Sequence, residues 1–185
     1  TFGLLLCAFP PRQTPETAYF FLIPALWWLS SRPSYKSVFL AFLFFCCLYY
    51  LTLLWWLLHI TLSGLSLGAL LLSGYLVIWF MFARWLIPHG LKGKFGTRLL
   101  AMLSLASAWT VIEWGRSQFA LGFPWCPLSV SQWQRPALLQ ISEWTGGWAI
   151  SFFLVFFNLC VASYLHHLLV RRRKTGRKGI ANNMC

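Results

Sequence analysis

"VFLAFLFFCCLYYLTLLWWLLHI", residues 38–60, carries no Lys, Arg, Asp or Glu. A helix needs about 20 apolar residues to cross the hydrocarbon of a bilayer, so this stretch is long enough to do so. Outward from it the pattern repeats. Residues 65–83 form a second run, closed by Arg84 and Pro88; residues 99–116 form a third; residues 144–170 form a fourth, followed by "RRRKTGRK". The shorter run 17–31 contains Pro24, which a membrane helix tolerates when neighbours satisfy the freed carbonyl, and it counts as a fifth span. The chain opens inside an apolar run, "TFGLLLCAF", without Met or a basic leader, so residues 2–9 are expected to be the remnant of a truncated first helix. The fold class read from this is all-α: a polytopic transmembrane helical bundle of about five full spans plus that truncated helix. Residues 1–170 form the membrane domain, and residues 171–185 a basic tail too polar to pack and expected to fray.

Composition agrees. Of the 185 residues 59% are hydrophobic and only 10% charged, against roughly 25% charged in soluble domains. Three acidic and fifteen basic side chains cannot form the polar shell of a soluble core. The net charge of +12 sits in clusters between the apolar runs. A nucleic-acid groove would interleave base-stacking aromatics with basic residues, so no nucleic-acid partner is expected. If the loops near residues 30–37 and 84–98 share a side with the tail, that side holds Arg32, Lys36, Arg84, Lys92, Lys94, Arg98, Arg171, Arg172, Arg173, Lys174, Arg177 and Lys178. The other side keeps Arg12, Arg116 and Arg135, with Glu16, Glu113 and Glu143. Twelve basic residues against three place the tail in the cytoplasm under the positive-inside rule.

The six cysteines show no CxxC or Cys/His spacing, and His59, His89, His166 and His167 are scattered at span ends. No metal, cofactor or disulfide framework is expected. The chain lacks Asp, a phosphate-binding Gly loop and a GxSxG elbow. Cys126, near Arg116, is not read as a nucleophile, because a reactive thiolate needs an activating neighbour. Asn158, inside the last span, reads as an interhelical hydrogen-bonding group.

One stretch stands apart: "EWGRSQFALGFPW", residues 113–125. Glu113 and Arg116 share a helical face at i, i+3 and can pair. Alternatively they form an ion pair at the water interface, contributing about 0 to 1 kcal/mol. The two prolines of "GFPWCP" break any helix and the aromatics seek the headgroup level. The polar run Ser129, Ser131, Gln132 and Gln134 exceeds what a plain aromatic belt requires.

"EWGRSQFALGFPWCPLSVSQ" and "RPALLQISEWTGGWAISFFLVFFN" resemble the N-terminal membrane domain of bacterial apolipoprotein N-acyltransferases, with Glu113, Trp114, Arg116, Gly122, Phe123, Pro124, Trp125, Ser131, Gln132, Pro136, Gln140, Gly146, Ser151, Phe152 and Asn158 carrying the likeness. "AFPP" of residues 8–11 resembles the end of that family's first helix. Cys126, Ala149 and "SVSQ" depart from its usual pattern.

The resemblance implies a bacterial inner-membrane, multi-pass protein whose partners are a membrane phospholipid as acyl donor and a diacylated lipoprotein as acceptor. The family's chemistry resides in a nitrilase-like domain with a Glu-Lys-Cys triad, which this sequence does not contain. No catalytic residue carries over, and the chain alone is expected to be inactive. Glu113, Arg116, Phe123, Trp125 and Gln132 are the expected lipid-substrate contacts. A non-enzymatic membrane scaffold or transporter-like subunit is the competing class.

Overall fold

The computed structural model describes residues 1–90, 93–118 and 124–182, with side chains described as far as residue 168. Eight α-helices are described: α1 (Phe2–Ala8), α2 (Ile23–Ser30), α3 (Tyr35–Leu53), α4 (Leu62–Gly90), α5 (Phe95–Gln118), α6 (Pro136–Leu139), α7 (Ser142–Thr145) and α8 (Trp148–Asn182). Short 3₁₀ turns intervene at Pro15–Tyr19, Trp55–His59 and Leu128–Gln132. The chain is an all-α membrane bundle. Among the described residues four helical stretches are long and apolar enough to cross a bilayer: Tyr35–Leu53, Leu62–Gly90, Phe95–Gln118 and Trp148–Leu168.

The expected fifth span is not one helix. Residues 17–31 divide between the 3₁₀ turn Pro15–Tyr19 and the eight-residue α2. Pro24 stands in the first turn of α2, where its missing N–H costs nothing. The break leaves backbone groups that hydrocarbon cannot satisfy, and Asn158 of α8 satisfies two of them. Its Nδ2 donates to the Ala18 carbonyl at 2.9 Å and its Oδ1 accepts the Leu22 N–H at 2.9 Å. The expected role of Asn158 as an interhelical bonding group is what the structure shows.

The other spans shift at their ends. Ser34 caps α3 by accepting the Ser37 N–H at 3.1 Å, and α3 stops at Leu53, with Trp55–His59 in a 3₁₀ turn. At the C-terminal side α8 continues past residue 170 to Asn182. Arg and Lys are good helix formers and no proline interrupts them.

Side-chain ties lock the bundle. The Trp79 indole N–H on α4 donates to the Leu105 carbonyl of α5 at 2.9 Å, and Phe42 of α3 stacks on Phe80 of α4 at 3.6 Å between centroids. Phe2 of α1 joins that cluster, lying 6.1 Å from Phe80 and from Tyr49. At one end of the bundle Arg84 Nε donates to the Pro33 carbonyl at 2.6 Å and Arg32 Nη2 to the Pro88 carbonyl at 3.4 Å. The end of α2, the start of α3, the end of α4 and the start of α5 meet there, making it the basic end. Residues 124–147 connect α5 to α8 at the opposite end.

Exposed large hydrophobics such as Phe44, Leu67, Ile78 and Val111 stud the outward faces of the long helices. In water such a surface would be a liability; in a bilayer it matches the solvent.

Candidate functional site

The site is built where α5 ends. Glu113 and Arg116 lie in its last two turns and are only 5% and 4% exposed, so they are not an interfacial pair that lets the helix surface into water. They do not pair with each other either; among the described residues the ion pair that forms joins Arg135 to Glu16, both exposed. The two buried charges hold backbone instead. Glu113 Oε1 accepts the Leu128 N–H at 2.7 Å, and Arg116 Nη2 donates to the Cys126 carbonyl at 3.1 Å. Arg116 Nη1 donates to the Tyr50 hydroxyl of α3 at 3.2 Å.

The reason lies in the segment they hold. Pro124 and Pro127 keep it from being helical, and Cys126 takes a left-handed backbone with φ 54°, a conformation costing a non-glycine residue roughly 1–2 kcal/mol. Irregular backbone in a buried place needs polar partners. A carboxylate accepts and a guanidinium donates, so the pair serves one N–H and one carbonyl of the same turn. Strained backbone persists where its surroundings over-determine it.

Glu113 and Arg116 also line a cavity of about 420 Å³, counting its open mouth, with Tyr49, Tyr50, Tyr75 and Cys126. Glu113 Oε2 is buried without a protein partner. Burial pushes the Cys126 thiol above its usual range, with Arg116 opposing more weakly.

The rest of the segment is fastened to other elements. Gln132, fully buried, donates through Nε2 to the Pro15 carbonyl and to Ser131 Oγ, both at 3.0 Å. The Ser129 N–H donates to Ser151 Oγ on α8 at 3.0 Å. Gly147 makes that approach possible, because a Cβ there would lie 2.7 Å from Ser129 Oγ. Gly146, with φ 66°, supplies the left-handed residue that ends α7.

Trp125 stays at the surface, 40% exposed, its ring 4.9 Å from that of Trp56 in the turn after α3. Of the five expected lipid contacts, then, Glu113 and Arg116 share one cavity and grip the turn that presents Trp125. Gln132 lies off that cavity, tying the segment to the chain at Pro15. Phe123 lies outside the described residues. Sequence reasoning missed Tyr50 and Trp56, whereas Ser129 stood in the polar run it had marked. The adjacent Tyr49–Tyr50 inside an apolar run was an available signal, since a buried hydroxyl seeks a partner.

With this geometry in hand, comparison with known proteins is direct. Residues 3–160 match the family model of the apolipoprotein N-acyltransferase N-terminal domain, and the chain belongs to that family. It is similar to apolipoprotein N-acyltransferase of Geobacter metallireducens, with 28% identity over 84% of this chain and 30% of the relative. It is equally similar to that of Chlorobaculum tepidum, with 28% identity over 86% of this chain and 29% of the relative. Over a shorter region, 37% of this chain and 12% of the relative, it is 35% identical to apolipoprotein N-acyltransferase 2 of Treponema pallidum. The chain thus spans less than a third of the length of these curated relatives. No solved structure matches it.

Proposed function

We propose that this chain is the membrane domain of an enzyme that moves an acyl chain from a phospholipid to the N-terminal cysteine amine of a diacylated lipoprotein, and that residues 124–132 form its lipid-facing floor. The bilayer in question is the bacterial inner membrane, with the basic end in the cytoplasm. The observation that carries the reading is the fastening of one irregular turn by two buried charges, Glu113 and Arg116. Placing a carboxylate and a guanidinium in a low-dielectric interior is costly. The cost is understandable if the turn must be held rigidly at the surface where lipid meets protein, as a binding site demands of its supports.

In this reading Trp125, with Trp56 behind it, lies along the lipid at headgroup depth. Phe123 extends the same aromatic surface, and Gln132 keeps the segment anchored at its far end. Arg116, which lines the cavity beside this turn, has a second role in this reading: to hold a lipid phosphate, which its fork geometry suits. No residue here acts as nucleophile, so the 185 residues alone supply lipid positioning and no acyl transfer.

Photoreactive phospholipid in vesicles containing the chain tests this. Cross-links should concentrate on residues 124–133 and Trp56, and weaken when Glu113→Gln loosens the turn. Labelling confined to the outward faces of α3 and α4 would overturn the site. The same vesicles given a diacylated lipopeptide should form no triacylated product; product formation would overturn the assignment of chemistry elsewhere.

A further inference from the structure

A further apolar cavity lies not at the site above but at the basic end of the bundle. It measures about 570 Å³, counting its mouth, and lies between α2, α4, α5 and α8, with Leu26, Ile87, Leu105 and Leu159 among its walls. Its origin is the broken span: α2 is only eight residues long and cannot fill the space between three longer helices. Ala101 and Ala162 keep the walls thin.

The polar groups of this cavity gather on one side. Arg98, in the first turn of α5, lines it, and its Nε is buried with no hydrogen-bond partner. A buried, unserved N–H on a permanently charged group is expensive. Arg98 also lines an adjoining, more open cavity of about 720 Å³ with Ser163, Tyr164 and His167. Ser30, Ser163 and His166 border the first. A half-open apolar chamber with a cation in its wall, at the end of the bundle that also carries Arg32, Lys36 and Lys94, is complementary to an anionic amphiphile.

We propose that this chamber holds one acyl chain of an anionic phospholipid drawn from the leaflet at the basic end, with the lipid phosphate on Arg98. The bound lipid fills the gap beside α2 and gives Arg98 Nε its missing acceptor. This site stands at the opposite end of the bundle from Glu113 and Arg116 and does not depend on the acyl-transfer reading.

Native mass spectrometry of the full 185-residue chain, released from detergent with phosphatidylglycerol or phosphatidylcholine of identical tails, tests it. Both lipids carry the phosphate, but phosphatidylcholine adds a quaternary cation beside it that the Arg98 guanidinium repels, so one phosphatidylglycerol should be retained about tenfold more strongly. Arg98→Gln should abolish most of that preference, while Lys174→Gln, which removes a basic charge of the tail, should leave it unchanged. Ala162→Phe, which occupies the chamber, should weaken retention of both lipids and leave binding of tail-free glycerophosphoglycerol as it was. If Lys174→Gln matches Arg98→Gln, the preference is a diffuse surface attraction and the proposal fails. It fails equally if Ala162→Phe, shown folded by an unchanged helical circular-dichroism spectrum, retains lipid like the parent chain, because the headgroup would then bind without the chamber.

Discussion

Asn158 and Leu22 lie 136 positions apart in sequence, and the side chain of the first accepts the backbone N–H of the second at 2.9 Å inside the bundle. The same carboxamide serves the Ala18 carbonyl, so one residue of α8 repairs both edges of the break between the 3₁₀ turn Pro15–Tyr19 and α2. Asn158→Leu removes both partners at once. Each orphaned buried group costs about 1–3 kcal/mol, and measured hydrogen bonds between membrane helices run to about 2 kcal/mol. A loss of roughly 2–4 kcal/mol is expected, read by denaturant unfolding in mixed micelles. An unchanged midpoint would mean that the break is satisfied some other way.

Glu113 and Arg116 should be far more sensitive than surface charges. Removing one partner of a buried charged set leaves the other uncompensated, at about 3–5 kcal/mol, so Glu113→Ala and Arg116→Ala are each expected to unfold the 124–128 turn or the bundle. Glu113→Gln keeps an acceptor for the Leu128 N–H and should be milder. The double alanine variant should cost less than the sum of the singles, because both act on one turn. Additive losses, or losses near 0 to 1 kcal/mol as for exposed pairs, would show that the two residues act independently.

Much of the bundle was legible in the sequence because a long apolar run without charge has few readings. Residues 65–83 and 99–116 lie within α4 and α5 as they stand. The broken span was not legible: Pro24 marks a possible break, but the group that repairs it sits in another helix, and spacing carries no information on a contact across 136 positions. The candidate site shows the same limit. The i, i+3 spacing of Glu113 and Arg116 puts both on one face, and both do line one cavity. Spacing could not say that the turn at Cys126 to Leu128 and the Tyr50 hydroxyl would face them, so a mutual ion pair was expected where each in fact binds backbone.

Trp125 separates positioning from stability. Its ring packs on Trp56 while remaining two-fifths exposed, and an aromatic pair of this kind contributes about 0.5–1.5 kcal/mol. Trp125→Ala should therefore shift unfolding only slightly while sharply reducing phospholipid cross-linking at residues 124–133. A large stability loss with cross-linking intact would make the ring a packing element alone.

Topology gives a test independent of lipid chemistry. Arg32, Lys36, Arg84, Lys94 and Arg98 belong to helix ends that meet at one end of the bundle, held there by Arg84 on the Pro33 carbonyl and Arg32 on that of Pro88. Under the positive-inside rule we propose that this end, with the basic run 171–178, lies in the cytoplasm. A reporter fused after Lys178 should be active only as a cytoplasmic fusion. Periplasmic activity would invert the whole assignment and move the Trp125 surface to the inner leaflet.

The closest backbone approach at the site is the most exacting place to intervene. At Gly147 an added Cβ would meet Ser129 Oγ at 2.7 Å and Ser129 Cβ at 3.2 Å, while the Ser129 N–H is held by Ser151 Oγ. Rotation about χ1 can move Ser129 Oγ aside, but its Cβ at 3.2 Å stays where the held backbone puts it, so Gly147→Ala should push the segment off α8 at the 1–3 kcal/mol scale of overpacking, about fivefold to 150-fold in the folding equilibrium. Because the displaced atoms are a serine side chain, Ser129→Gly in the same chain removes the collision and keeps the N–H that Ser151 accepts. The double variant should recover most of the stability lost in Gly147→Ala, as measured by unfolding in micelles, together with the lipid cross-linking at Trp125. If Ser129→Gly rescues nothing, the cost of Gly147→Ala arises in the turn ahead of α8, and the contact between the segment and α8 is not what sets the position of the floor.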